Sequence, residues 1–206
     1  MQKVDSHSDD QTSLHAAIHR VNAPIVKLLL DHGANPNMIP VPEPTNLRAL
    51  EKQSVPLLHA VYQVRWTIQR LPQIKERKDP ERTAKAEGFI ESAQAIARML
   101  ITHKNIEIDV QHPGGGGAAL HIAALAGQID LAELLLKRGA KVDSRSKQIT
   151  PGPVRLPPYK QTPLHVAYAA GQTKFAEFLL KHGADPDAKD NRGRVPSYYR
   201  EGNRRN

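Results

Sequence analysis

The segment Thr162-Pro163-Leu164-His165-Val166-Ala167 decides the fold of this chain, because shorter copies of it occur three more times. The copies centre on the pairs Leu14-His15, Leu58-His59 and Leu120-His121. The four histidines are 44, 62 and 44 residues apart, and an apolar stretch with helical spacing follows each phrase. Such a repeated phrase indicates a protein built from stacked modules that bury a core between neighbours.

A glycine-alanine pair follows three of the phrases at a constant distance. Gly33, Gly139 and Gly183 each lie 18 residues after the histidine of their own phrase, with an apolar run between the two markers. Phrase and marker together resemble the ankyrin repeat, a unit of about 33 residues with two antiparallel helices and a turn. The resemblance implies an all-α ankyrin-repeat solenoid of stacked helix-turn-helix units with finger loops.

The two markers divide the chain into four repeats and a partial C-terminal cap, which we expect to form a single domain over residues 1–206. The expected repeats cover residues 10–53, 54–113, 114–160 and 161–193, and the cap covers residues 194–206. In the cap, Pro196 stands where the proline of the phrase would, but no second helix follows. A polar half-repeat of this kind covers the last apolar face of a stack.

Local signals predict the ends of several helices. Gly127 and Gly171 are expected to form the turns inside the third and fourth repeats, whereas Val21-Asn22 replaces glycine in the first. Pro24 suits the first turn of a helix, because no amide hydrogen is needed there. The carboxylate of Asp130 is predicted to cap the second helix of the third repeat.

The second repeat is longer than the others. Lys104, which we align with the closing glycine, lies 45 residues after His59. In the other repeats the closing glycine lies 18 residues after the histidine. Apolar residues keep a helical period through this excess, and Asp79-Pro80-Glu81 is a strong signal for a helix start. We therefore predict a helical arm over residues 66–92, in which Pro72 ends the first helix and residues 73–78 form the tip.

Two loops are each about 11 residues longer than a plain repeat of this kind needs. The first holds three closely spaced prolines and a predicted short helix over residues 46–52, and the second runs from Ser144 to Lys160. Prolines stiffen such loops and lower the entropy lost on binding. The resemblance implies that these loops are fingers at one edge of a concave face.

Composition limits the classes of function. The chain has a net charge of +8 and no cysteine, which excludes disulfides and thiolate zinc sites. The N-terminus lacks the apolar stretch of a secretory signal, and no apolar run approaches the ~20 residues that span a bilayer. We expect a soluble, monomeric protein of the cytoplasm or the nucleus.

No residue pattern predicts catalysis, a cofactor or a metal site. The phrase histidines lie one repeat apart and cannot converge on one ion, and the resemblance implies a hydrogen-bonding role in the turn that opens each helix. His15 and His19 are four residues apart on one helix but have no evident third ligand. The run Gly114-Gly115-Gly116-Gly117 lacks the Lys and Ser or Thr of a phosphate loop, which favours a flexible connector. An enzyme hidden in the insertions would need several converging ionisable groups.

The leading hypothesis is a non-catalytic scaffold that binds a partner protein with an acidic surface through its fingers and the exposed face of its first helices. The predicted contact residues are His19, Arg20, Arg145, Lys147, Arg155, Tyr159, Gln161, Tyr168, Gln172, Arg192 and Arg194. For Tyr198 and Tyr199 two interpretations stay open, namely contact with a partner and packing between the fourth repeat and the cap. The alternative function is a basic nucleic-acid- or phosphate-binding module, although no nucleic-acid motif accompanies the charge.

Overall fold

The computed structural model describes residues 7–8, 11–38, 55–111, 117–147 and 160–202, and almost all regular structure in them is helical. The helices are α1 Ser13–His19, α2 Ala23–Asp31, α3 Pro56–Glu76, α4 Pro80–Thr102, α5 Ala119–Ala126, α6 Ile129–Lys137, α7 Pro163–Ala169, α8 Thr173–Lys181 and α9 Pro196–Gly202. Before α1, the two-residue strands β1 His7–Ser8 and β2 Gln11–Thr12 pair antiparallel, with His7 opposite Thr12, a feature that the sequence did not predict. The prediction of an all-α repeat fold is confirmed.

The chain divides into two compact units, residues 1–107 and 108–206. In the first unit, α1 packs against α2 and α3, while α4 packs against α2 and α3. In the second unit, α5 packs against α6 and α7, and α7 packs against α8 and α9. Within each unit, therefore, the first helix of one repeat lies against the first helix of the next.

Each helix pair buries one narrow apolar face. In the second unit this core contains large side chains that are at most 1% exposed: Leu120, Ile122, Leu131, Leu135, Leu164, Val166, Phe175 and Leu179. Each of these burials contributes about 1.5–3 kcal/mol to folding. Fully buried alanines such as Ala123, Ala132, Ala167 and Ala176 lie between them and let neighbouring helices approach closely. This explains how a chain with 39% hydrophobic residues still forms a continuous core in each unit.

The turns between paired helices need a left-handed residue, as the sequence predicted. Gly127 and Gly171 have φ of +67° and +71°, and the closing residues Gly33, Gly139 and Gly183 also have positive φ. In the first repeat Val21 takes the same conformation at φ +51°. A left-handed conformation costs a residue with a side chain about 1–2 kcal/mol. Burial of the Val21 side chain, which is 8% exposed, offsets this strain.

The predicted cap at Asp79 is present, the predicted cap at Asp130 is absent, and Asn22, which was predicted only in the turn, also caps a helix. The side chain of Asn22 accepts a hydrogen bond from the amide of Ile25 at the start of α2, and Asp79 accepts one from the amide of Arg82 at the start of α4. The cap of α6 is Gln128 and not Asp130. The chain enters the helix directly after the left-handed turn at Gly127 and the cap residue. Asp130 therefore lies in the first turn of α6, where its negative charge interacts favourably with the helix dipole.

The long second repeat contains two long helices, and the first of them does not end at Pro72. Helix α3 has 21 residues and α4 has 23, against 7–9 in the other described helices. Pro72 lies inside α3, and the turn comes at Arg77 and Lys78. The side chain of Pro72 is exposed, so water can reach the carbonyl group that loses its helical hydrogen bond. Packing of the half-buried Leu71 and Ile74 beside α4 holds the helix together across the proline.

Side chains in the turns also correct the register of the second repeat. Asn37 accepts a hydrogen bond from the amide of Glu107, as Asp109 does from Lys141 and Asp143 does from Asp185. Asp143 lies four residues after Gly139, and Asn37 lies four residues after Gly33. By the same count, Asp109 places the closing position at Asn105, one residue beyond the predicted Lys104.

Some predictions fall outside the described residues. These are the short helix over residues 46–52, the central part of the second finger at 148–159, and the end of the cap at 203–206. Residues 114–116 of the glycine run also lie outside them. Gly117 itself is buried, and a Cβ atom built on it would come within 2.3 Å of Cγ of His121. This glycine is therefore required for close packing over the imidazole.

The phrase histidines link neighbouring repeats in the second unit. Nδ1 of His165 accepts a hydrogen bond from the amide of Thr162, so its Nε2 carries the hydrogen and donates to the carbonyl oxygen of Arg194 at 3.0 Å. Nε2 of His121 is 3.0 Å from the carbonyl oxygen of Gln161. Both side chains are fully buried. The expected hydrogen bond within the turn is present at His165, and both imidazoles connect their helix to the following repeat.

We expect Gly127→Ala to lower the free energy of unfolding by about 1–2 kcal/mol, because alanine is strained at positive φ. Its Cβ atom would also lie 2.4 Å from Oε1 of Gln172, which would have to move. Gly88→Ala is the control. This glycine lies inside α4 with open space around its Cα atom. The substitution is therefore expected to raise the free energy of unfolding by about 0.5–1 kcal/mol. Urea unfolding measures both, and an unchanged or raised stability of Gly127→Ala would contradict the turn assignment.

The second unit is expected to lose stability in mild acid. Burial of His121 lowers its pKa from 6.5 to about 4, so the folded state binds a proton less readily than the unfolded state. The corresponding stability is complete above pH 6.5 and is lost as the pH falls toward 4. For this single group the loss is about 3 kcal/mol.

The measurement is urea unfolding at several pH values, followed by circular dichroism, for the unmodified chain and for His121→Gln. Glutamine does not titrate and can still donate to the carbonyl group of Gln161. The variant should therefore show a shallower dependence on pH. Equal slopes for the two chains would show that His121 does not carry the effect.

Candidate protein-binding surface

The base of the second finger is fixed by hydrogen bonds to the repeat before it. The side chain of Gln111 donates to the carbonyl group of Arg145 at 2.8 Å and accepts from the amide of Lys147 at 3.1 Å. The two ends of the finger are joined as well, because Ser146 donates its amide to the carbonyl group of Gln161 and accepts the Gln161 amide on its hydroxyl oxygen. The backbone at the foot of the finger therefore has a defined position.

Gln161 links this finger base to the helical core. Its carbonyl oxygen accepts hydrogen bonds from the buried imidazole of His121 and from the amide of Ser146. The next repeat has the same arrangement, in which the carbonyl group of Arg194 receives His165 and the amide of Asp190. The position of each finger base is thus set by the packing of the helix beneath it.

Four exposed cations lie along these bases in the second unit. We call them the basic finger row: Arg145, Lys147, Lys189 and Arg192. The guanidinium group of Arg145 donates to the carbonyl oxygen of Lys189, which ties one position of the row to the next. Among the described residues, no salt bridge neutralises Lys147 or Lys189. The row therefore presents positive charge to solvent.

Tyr168 and Gln172 provide a less polar surface in the same unit. Tyr168 is a half-buried residue of α7, and Cζ of Arg200 lies 5.9 Å from the centre of its ring, within the range of a cation–π contact. Gln172 is the N-cap residue of α8, and its side chain lies over the turn at Gly127. Both positions agree with the prediction that they lie at the surface, although neither is fully exposed.

Arg194, another predicted contact residue, is held inside the protein. Its guanidinium group pairs with the buried carboxylate of Asp190 at 3.0 Å, and its side chain is only 19% exposed. Desolvation alone would raise the pKa of Asp190, but hydrogen bonds from Tyr199 and from the amides of Arg194 and Arg192 outweigh it and lower the pKa. Arg194 is therefore needed to neutralise a buried charge and contributes little accessible surface.

The two C-terminal tyrosines have different roles, which settles the interpretation that the sequence left open for one of them. The hydroxyl group of Tyr199 donates to Asp190 at 2.6 Å, and burial together with this bond raises its pKa to about 12. Tyr199 thus packs α9 against the fourth repeat. Tyr198 is 55% exposed and stacks its ring beside Arg194 and Tyr199, so it remains accessible from solvent.

The other predicted contact residues fall into three groups. Gln161 is fully buried, so it cannot contribute an accessible side chain. Arg155 and Tyr159 lie outside the described residues. His19 and Arg20 are exposed at the end of α1 in the first unit, where the ring of His19 lies 5.7 Å from that of His59.

Sequence reasoning missed Lys189. Its signal was present, because Lys189 lies six residues after Gly183 as Arg145 lies six residues after Gly139. The two residues therefore occupy equivalent places at successive finger bases. A position-by-position comparison of the repeats would have found the row.

The surface offers hydrogen-bond donors and positive charge, which suit the recognition of carboxylates. In the part of the chain that the structure describes, no group of three or more histidine, cysteine, aspartate or glutamate residues is arranged to hold a metal ion. No helix within the same residues combines the length and the apolar character needed to cross a membrane.

Comparisons with known proteins agree with the helix-pair architecture. A family model described as ankyrin repeats in three copies matches residues 95–190, and a model described as ankyrin repeat matches residues 9–39. The two ranges leave out residues 40–94, which contain all of α3 and the first part of α4. The arm is thus an addition to the repeat pattern.

The ankyrin repeat and KH domain-containing protein mask from Drosophila melanogaster is similar to part of the chain, with 33% identity over 66 residues. The aligned stretch is 32% of this chain and 2% of that protein. The chain therefore spans only a small part of the length of that relative. The two family matches together span more than half of the sequence, and the chain belongs to the ankyrin repeat family.

Proposed function

We propose that the chain is a non-catalytic scaffold whose second unit binds an acidic segment of a partner protein along the basic finger row. Ankyrin repeats are in general modules for protein–protein interaction, which gives the coarse function. The observation that carries the finer proposal is the set of exposed cations Arg145, Lys147, Lys189 and Arg192 at the finger bases, where Arg145 is tied to the backbone of Lys189. A net charge of +8 and the absence of cysteine are compatible with a monomer in the cytoplasm or nucleus.

Pre-organisation explains why this row suits binding. Gln111 and Gln161 hold the backbone on both sides of Arg145 and Lys147, so less conformational entropy is lost when a partner docks. Exposed charges contribute mainly to orientation and to the rate of association. The half-buried ring of Tyr168 adds the kind of aromatic contact that dominates the energy of many interfaces.

The test is a charge reversal at Lys147 and Lys189 in one variant, with Lys174→Glu/Lys181→Glu on α8 as the control that makes the same change in net charge. Because like charges oppose docking, we expect the first variant to weaken binding by at least about tenfold and the control to keep most of it. Affinity capture with mass spectrometry, repeated after nuclease treatment, identifies the partners and compares their recovery.

Equal recovery of every partner by both variants would remove the basic finger row from the site. Loss of all recovered material after nuclease treatment would favour the nucleic-acid alternative. In that case retention on a polyanion column should also fall steeply with salt.

A further inference from the structure

The solvent face of α3 in the helical arm has a composition unlike the rest of the chain. We call it the arm stripe: Tyr62, Trp66, Gln69, Arg70, Gln73 and Arg77. Steps of three or four residues place the first five of these side chains on one face of α3, opposite the buried Val61 and Val64, and Arg77 is the residue that follows the helix. The stripe contains no acidic residue, and Glu76 at the end of α3 is the helix's single acid.

Trp66 and Arg70 form the centre of the arm stripe. Trp66 is 44% exposed, and Cζ of Arg70 lies 4.4 Å from the centre of its ring. A second pair lies one turn earlier, where Cζ of Arg65 is 5.7 Å from the ring of Tyr62. A guanidinium group stacked on an aromatic face is held in place while its N–H groups at the edge remain able to bind a carboxylate.

The arm itself does not neutralise these arginines. On α4, Glu81 pairs with Lys85 and Glu87 pairs with Lys75, while Asp79 caps the helix and pairs with Arg82. In the described part of the chain, no carboxylate forms a salt bridge with Arg70 or Arg77. Asp79, Glu81 and Glu87 are thus already engaged with other cations.

We propose that the arm stripe is a second docking surface, which binds an acidic, amphipathic helix of a partner protein. Arg70 and Arg77 are two turns apart, about 10 Å along the helix axis. They would meet two carboxylates separated by seven residues, and Trp66 with Tyr62 would cover the apolar side chains between them. Tryptophan, tyrosine and arginine are the residues that most often dominate the energy of protein interfaces.

Two other occupants fit the stripe less well. A second copy of this chain would bring α3 cations against α3 cations, and its α4 offers mostly carboxylates that are already paired. A nucleic acid presents an unbroken line of phosphates, whereas Gln73 separates the two arginines and Glu76 lies beside Arg77. Charge and spacing therefore favour separate carboxylates on a protein helix.

The chain contains its own reporter for the test, because Trp66 is its only tryptophan. The probe is a synthetic helical peptide of about 20 residues with glutamates seven residues apart and leucines on the same face. Its twin carries glutamine in place of each glutamate. We expect saturable binding of the glutamate peptide with a change in Trp66 fluorescence, and binding of the glutamine twin weaker by at least about tenfold.

Variants of the full chain locate the binding, measured by fluorescence anisotropy of a dye-labelled peptide. Arg70→Gln and Trp66→Ala should each weaken binding by about tenfold. Both residues are exposed, and each substitution removes one half of the stacked pair. Lys85→Gln is the matched control, because it removes one positive charge from the other helix of the same arm. Lys147→Glu/Lys189→Glu should leave this binding unchanged, which separates the arm stripe from the basic finger row.

Three results would overturn the proposal. The first is equal affinity of the peptide for the unmodified chain, Arg70→Gln and Trp66→Ala. The second is equal affinity for the glutamate and glutamine peptides. The third is displacement of the peptide by an oligonucleotide of the same charge that binds more tightly. That result would assign the stripe to a polyanion.

Discussion

A buried histidine that donates a hydrogen bond to a carbonyl group of the next repeat is the contact on which the second unit depends. His121 and His165 each make this bond, and both must stay neutral to fit their fully buried sites. The acceptor carbonyl groups belong to Gln161 and Arg194, which also bind the base of a finger. A single polar contact therefore joins the apolar packing of the helices to the position of the surface that we propose as the binding surface.

This connection explains why the polar residues of the second unit have different roles. Gln161 and Arg194 were predicted as contact residues, but their backbones complete the link from core to finger and their side chains are mostly enclosed. Arg145, Lys147 and Lys189 lie next to those links and remain exposed. The residues that fix the geometry and those proposed to face a partner are thus adjacent in sequence and different in role. The arm carries its exposed stripe on a helix outside the repeat pattern.

The helix pairs could be predicted from sequence because the phrase, the closing glycine and the apolar spacing are local signals. The same holds for the turn glycines and for the cap at Asp79, each of which depends on a few neighbouring residues. Pro72 was misjudged because packing of Leu71 and Ile74 beside α4 overrides the local preference to end a helix. Burial of Gln161 and pairing of Arg194 with Asp190 depend on contacts between repeats, which a pattern within one repeat does not reveal.

The central claim is that each helix pair of the second unit is stable because the next one covers it. Hydrogen exchange of the full chain and of a chain that ends at Lys189 tests this most directly, since the shorter chain lacks α9 and the acceptor of His165. The account predicts that the amides of α7 exchange at least about 100-fold faster in the shorter chain, although no residue of α7 is changed. Unchanged protection of α7 would contradict it.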